Sequence, residues 1–519
     1  MKKISFLVVL SGLLVSHAFA QRGPAGPPTS GSRPADSTQM KQAPSGKDDI
    51  TLPANTTVVT KHELTVKGVK FPYTATTGTQ PVWNANGKVT ASLFYVFYER
   101  ADVKDKANRP LIISFNGGPG TASVWMNIGF TGPRRLMCDD EGYPVQPYGI
   151  RENPYSILDV ADIVFIDPVN TGFSRILDDK TPTSTFFGVN ADIKYLSEWI
   201  SAFLGRVNRW ESPKYLIGES YGTTRVSGLA QALQSTQWVY LNGVILVSPT
   251  DLGIDRSGPV KNASFLPYYS ATAWHHKALA SDLQSKELEQ MLPEVEKFTV
   301  EEYGPALTMG GMLSPEKRDQ IATKVARYSG IDKKVILQNN LYISTSLFWK
   351  ELLRDKGYTV GRLDSRYRGI DRADAGIRPD YNSELTSWLH SFTPAINTYL
   401  RNDLGFKTDL KYYMFGPVHP WDNTNNHTGD DLSLAMHTNP NLQLLVLSGY
   451  YDGACDYFNA KYNMWQMNAS GKLTNRMHFR GYRSGHMMYL RTEDLRDSNE
   501  HLREFIKNSI PGKNVPAKY

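Results

Sequence analysis

Gly218-Glu219-Ser220-Tyr221-Gly222 fits the pattern G-x-S-x-G. The pattern meets a steric demand. A serine presented at a sharp strand-to-helix turn sits on strained backbone, and glycines two positions to either side let strand and helix close on each other. An apolar stretch, 215–218, leads into the motif and a helix-compatible one, 223–233, follows it. Ser220 is therefore the candidate nucleophile of an acyl transfer. That chemistry needs N–H donors where an oxyanion develops, a base to take the hydroxyl proton, and an acid to hold the base. Asn116-Gly117-Gly118-Pro119-Gly120 comes directly after an earlier apolar stretch, so the backbone N–H of Gly118 is one expected donor. The N–H of Tyr221 is the other.

Asp452 lies in Gly449-Tyr450-Tyr451-Asp452-Gly453, just past the apolar stretch 442–448. Functional groups of an α/β sheet gather at such strand ends. Asp452 is the candidate acid, fixing the imidazole tautomer and stabilising the imidazolium. His486, in Arg483-Ser484-Gly485-His486-Met487, precedes a helix whose Leu495, Leu502, Phe505 and Ile506 share a face. It is the best placed of 11 histidines for the general base, since His275 and His276 fall in a helical region and His62 in an edge strand. His419, Asp422, His427, Asp430, Asp431 and His437 crowd one polar stretch. Their spacing matches no regular zinc or calcium pattern, so the stretch reads as solvated loop; no metal or other cofactor is expected.

Elements must bring these residues together. The short apolar stretches 110–115, 163–167, 215–218, 244–248 and 442–447 suit strands covered on both faces, as in a parallel sheet. Upstream, 62–69 and 90–98 read as antiparallel edge strands around the turn residues Asn84-Ala85-Asn86-Gly87. In 189–204, Ile193, Leu196, Ile200, Phe203 and Leu204 form one helical stripe. From about Gly253 to Leu434 strand signals vanish, and 281–298 and 315–328 read as charged amphipathic helices. The expected architecture is α/β, an α/β-hydrolase fold whose mostly parallel sheet is flanked by helices and interrupted by a large helical cap. Its parts are a first core segment, 51–252, the cap, 253–434, and a second core segment, 435–519.

With 519 residues and 40% hydrophobic content the chain can bury a large core. Its net charge of +6 is spread without basic runs, so nucleic acid is not an expected partner. Lys2 and Lys3, the apolar stretch 4–15 and Ala18-Phe19-Ala20 read as an export signal over 1–20, too short for a membrane span. No stable membrane anchor is expected, and the destination is the periplasm or the extracellular medium. Residues 21–50, rich in Pro, Gly and Ser, read as a disordered linker. Cys138 and Cys455 are the only cysteines, and their separation in sequence does not decide whether they bridge.

Taken in order, Asn116-Gly117-Gly118-Pro119-Gly120, Gly132-Pro133, Asn153-Pro154-Tyr155, Phe165-Ile166-Asp167, Thr171-Gly172-Phe173-Ser174, the serine motif, Gly449 to Asp452 and Gly485-His486-Met487 resemble the serine carboxypeptidase family. The likeness runs from about His62 to Arg496. Gly132-Pro133-Arg134-Arg135, Tyr221-Gly222-Thr223-Thr224-Arg225 and Ala271-Thr272-Ala273-Trp274-His275 look most like its bacterial branch. The resemblance implies peptide substrates and release of their C-terminal residues through an acyl-enzyme on Ser220. It also implies that Asn116 and Glu219 hold the substrate's terminal carboxylate, Glu219 only when protonated, with a backbone N–H of Gly117 added.

One departure bears on that site. Phe130 occupies the position of a second family glutamate, which pairs with the one before the serine. Either Glu219 alone suffices, with recognition weakening earlier as pH rises, or Arg134 or Arg225 takes the carboxylate. Asn170 and Thr121 are smaller departures, and Cys455 matches a position where some members keep a free thiol. Two rivals stay open: an esterase or acyltransferase on the same triad, and a catalytically silent binding protein on this scaffold.

Overall fold

The computed structural model describes residues 50–512 and 514–519. The export signal expected over 1–20 lies outside the described residues, as does the linker expected over 21–50 apart from Ile50. Threonine, valine and aromatic residues dominate β1 (Thr56–Val66), β2 (Val69–Trp83) and β3 (Val89–Arg100), which pair antiparallel in sequence order. The single strand expected over 62–69 is instead divided at Lys67-Gly68. Both of these residues have positive φ, 50° and 77°, as a two-residue hairpin turn demands.

Six further strands complete the main path of the sheet: β4 (Leu111–Phe115), β5 (Asp162–Ile166), β6 (Lys214–Glu219), β7 (Gly243–Val247), β8 (Gln443–Gly449) and β9 (Met477–Tyr482). Their order is β1-β2-β3-β5-β4-β6-β7-β8-β9. Every pairing among the last six is parallel. Successive side chains point to opposite faces. Ile112, Ile163, Ile217, Ile245 and Leu447 enter one apolar cluster, while Ile113, Val164, Leu216, Leu246 and Val446 enter another. Helices α1 (Val189–Arg206) and α2 (Tyr221–Thr236) cover the second face through Leu196, Phe203, Leu229 and Leu233.

Between β7 and β8 the chain is mainly helical, including α3 (Leu266–His275), α4 (Leu288–Phe298), α5 (Pro315–Ser329) and α6 (Thr428–Thr438). The helix expected over 281–298 is broken after Gln284 and resumes at Leu288. Thr359–Val360 and Arg368–Gly369 pair as two short strands where none was expected. Part of the polar stretch expected as solvated loop forms α6. Tyr268, Met291, Val295 and Ile321 give this region its own apolar cluster, which Tyr451, Tyr457 and Phe458 join from beyond β8. The insertion is thus packed against the chain on both sides of Asp452. Helix α7 (Thr492–Ser509) returns Leu495, Leu502, Phe505 and Ile506 to the first sheet face. No described helix is long and apolar enough to cross a membrane.

Candidate active site

Ser220 links β6 directly to α2, with φ 59° and ψ −128°. This is the left-handed side of conformational space, costly for a residue with a Cβ and retained only where the surroundings enforce it. Its N–H bonds the Val247 carbonyl at 3.0 Å, and the Thr223 N–H bonds its carbonyl at 2.8 Å. A side chain on Gly218 would collide with the Gly222 carbonyl, and one on Gly222 would come within 2.9 Å of the Phe115 carbonyl. Both glycines are therefore demanded by the close approach of strand, helix and β4.

Asp452 and His486 follow the C-terminal ends of β8 and β9, which lie beyond β7 in the sheet. Asp452 is fully buried, and its Oδ1 accepts the N–H groups of Ala454 at 2.8 Å and Cys455 at 3.0 Å. Its Oδ2 lies 2.6 Å from His486 Nδ1. That contact assigns the proton to Nδ1 and leaves Nε2 free to accept one. Burial works against a charged imidazole here, but the Asp452 carboxylate, with Cys455 nearby, raises the His486 pKa well above its usual value. The loop of His486 is clamped from both sides. The Leu363 carbonyl accepts its N–H at 2.7 Å, and the Ser248 hydroxyl donates to its carbonyl at 2.8 Å. Ser220 and His486 are thus held by adjoining residues, Val247 and Ser248, at the end of β7. β9, which delivers His486, was not expected as a strand; its residues include half-buried His478 and exposed Arg480.

The loop after β4 lies against the serine turn. A Cβ on Gly117 would collide with the Tyr221 nitrogen and sit 2.7 Å from the Glu219 carbonyl. Gly118 has φ 101°, a conformation suited to glycine. The N–H bearing residues Gly118 and Tyr221 therefore belong to two segments in contact. Arg225 braces them. Fully buried on α2, it bonds Asp192 of α1 at 2.6 Å, the Asn116 carbonyl at 2.7 Å and the Pro119 carbonyl at 3.3 Å. The alternative in which Arg225 takes a substrate carboxylate is overturned, because its guanidinium is already committed. The charge of Arg134 acts on Tyr73 and Tyr399, and among the described residues neither arginine hydrogen-bonds Glu219.

Glu219 is buried next to the triad. Asn116 Nδ2 donates to its Oε1 at 3.0 Å, and the Tyr489 hydroxyl donates to its Oε2. Burial pushes its pKa up to about 7; His486, Tyr489 and Asn116 act downward and Asp452 upward. Phe130 removes the family's paired glutamate, yet Asp452 still acts on Glu219 as a like-charged neighbour. Phe130 is buried and stacks on Tyr489, ring centroids 4.8 Å apart and planes 9° from parallel. Tyr489 was missed in the sequence; the signal for it was the unpartnered Glu219 that Phe130 implied. Cys138 and Cys455 are free and buried.

A mostly parallel sheet with a strained serine between strand and helix, and an acid–imidazole pair at the neighbouring strand ends, defines an α/β-hydrolase. Within that class, residues 80–494 match the model of the serine carboxypeptidases, and the chain belongs to that family. It is 30% identical over 141 residues to serine carboxypeptidase S10 family member 1 of Dictyostelium discoideum, covering 27% of this chain and 31% of that protein. It is 26% identical over 230 residues to serine carboxypeptidase-like 38 of Arabidopsis thaliana, covering 42% and 44%. The chain thus spans less than half the length of these curated relatives. Among solved structures, a prohormone-processing carboxypeptidase of Saccharomyces cerevisiae superposes with TM-score 0.49 at 15% identity, over 84% of this chain and 92% of that one.

Proposed function

We propose that this chain is an exported serine carboxypeptidase that releases C-terminal residues from peptides. The observation that carries the reading is the 2.6 Å contact of Asp452 with His486 Nδ1, together with the strained Ser220, which is held by Val247 while Ser248 holds His486. With Nδ1 donating to Asp452, Nε2 takes the Ser220 hydroxyl proton as the oxygen attacks the scissile carbonyl. The N–H groups of Gly118 and Tyr221 receive the oxyanion. Imidazolium then protonates the leaving amine, the C–N bond breaks, and an acyl-enzyme forms on Ser220. Water, deprotonated by the same imidazole, adds to that ester, and the acid leaves as the Ser220 hydroxyl is restored. Asn116, Gly117 and neutral Glu219 hold the free carboxylate of the substrate. Residues 253–434 act as a cap over this site, between core segments 51–252 and 435–519. The segments around Arg134, Arg225 and His275 support placement in the bacterial branch, and residues 1–20 support export to the periplasm or medium.

Two assays test the reading. A fluorophosphonate probe should label the protein and fail on Ser220→Ala; a folded, unlabelled wild type would revive the binding-protein reading. A free-acid peptide should be cleaved far faster than its C-terminal amide. Phe130, apolar where the family pattern has a glutamate, favours the esterase or acyltransferase reading. That reading gains if neutral esters turn over and the free acid earns no preference.

A further inference from the structure

Both oxygens of Glu219 are engaged by uncharged donors from distant parts of the chain. The Asn116 amide has one orientation, because its Oδ1 accepts the Met126 N–H at 3.1 Å and its Nδ2 must then face Glu219. Oε1 is therefore an acceptor in every protonation state. When Glu219 gains a proton, that proton sits on Oε2, where the Tyr489 hydroxyl is its hydrogen-bonding partner. The phenol donates to the charged carboxylate and accepts from the neutral acid. Its ring is held in place by the stack on Phe130 and by Gly129, where a Cβ would come within 2.8 Å of the Tyr489 ring.

We propose that Tyr489 is the positioning residue of the carboxylate subsite, its hydroxyl fixing the orientation of Glu219 and setting the upper pH limit for recognition of free-acid peptides. The inference rests on the carboxypeptidase reading. The charged and titratable groups that face Glu219 are Asp452 after β8, His486 after β9 and Tyr489 in the turn beyond it, with the neutral amide of Asn116 after β4. Tyr489 itself stays protonated over the working range, since burial and then Glu219 raise its pKa well above the usual phenol value. Of the Glu219–Tyr489 pair, the proton that titrates is thus that of Glu219. A hydrogen bond to a charged acceptor is about twice as strong as one between neutral groups, so losing the phenol costs the carboxylate more than the acid. Tyr489→Phe should therefore raise the pH limit by about one unit.

The test is kcat/KM against pH for an N-blocked free-acid dipeptide and for a neutral ester of the same acyl group. Tyr489→Phe should move the alkaline limb of the peptide profile upward, through KM, and leave the ester profile in place. Glu219→Gln should remove that limb. A Tyr489→Phe limb that coincides with wild type, while Glu219→Gln removes it, overturns the role of Tyr489 and leaves the carboxylate subsite standing. A limb unmoved by Glu219→Gln overturns the subsite, and the proposal with it. If Tyr489→Phe does not fold, Phe130→Leu, which loosens the stack, is read the same way. A smaller upward shift supports the proposal and an unmoved limb overturns it.

Discussion

The two corners of the candidate site are built by different means. Around the triad, main chain does most of the positioning. Ser220 is held by Val247 and Thr223, Asp452 Oδ1 by two backbone N–H groups, and the His486 loop by the Leu363 carbonyl. Around Glu219, side chains do it: an amide, a phenol and the ring stacked beneath that phenol. Backbone-built geometry survives side-chain substitution as long as the chain path is kept. Side-chain geometry can be re-partnered by one substitution, as Phe130 and Tyr489 show.

The largest effect should come from the one side-chain bond the triad cannot replace. Asp452→Asn keeps the shape and the backbone donors but puts the wrong tautomer on His486; kcat should fall about 10⁴-fold with an unchanged unfolding midpoint. Near wild-type turnover would mean another acid does the work. Next comes the brace beneath the oxyanion loop. Arg225→Met leaves Asp192 charged and buried with Tyr195 as its hydrogen-bonding side chain. The denaturation midpoint should drop by an amount equivalent to about 3–5 kcal/mol. Adding Asp192→Leu should recover much of it, whereas no recovery would place the loss in the Asn116 and Pro119 contacts. Gly117→Ala tests the same loop more locally, since the new methyl would displace the Tyr221 nitrogen. Loss of one oxyanion donor costs about 10²–10³-fold in kcat, with KM little changed. A variant as active as wild type would show that Tyr221 is not a donor.

The same contrast explains what could be read in the sequence. Strands β4 to β8 were legible because sheet burial on both faces demands continuous apolar residues, as in Leu111–Phe115 and Gly243–Val247. β9 closes the sheet as an edge, so His478 and Arg480 interrupt its pattern and hide it. The elbow was legible because backbone strain leaves a residue signature, Gly218 and Gly222. The bracing role of Arg225 was not legible because its partner, Asp192, lies 33 residues away on another helix, where no spacing rule links the two. Tyr489 meets Glu219 across 270 residues, through a contact that depends on the space left at Gly129.

Cys455 supplies the smallest effect and the sharpest check on the contrast. Its thiol faces the Asp452–His486 pair, the donor atoms of all three lying within 4.8 Å of one another. Yet what Cys455 gives Asp452 is its N–H, which any residue on this chain path provides. Cys455→Ala should therefore lower kcat by no more than about tenfold, the equivalent of one ordinary hydrogen bond. Burial pushes the Cys138 thiol up to about 12 and also raises that of Cys455. Thiol reagents at pH 8 should accordingly find both unreactive in the folded protein and both reactive in denaturant. If Cys455→Ala instead shifts the pH limit of peptide cleavage as far as Tyr489→Phe, the triad corner depends on side chains as much as the carboxylate corner, and the division between them fails.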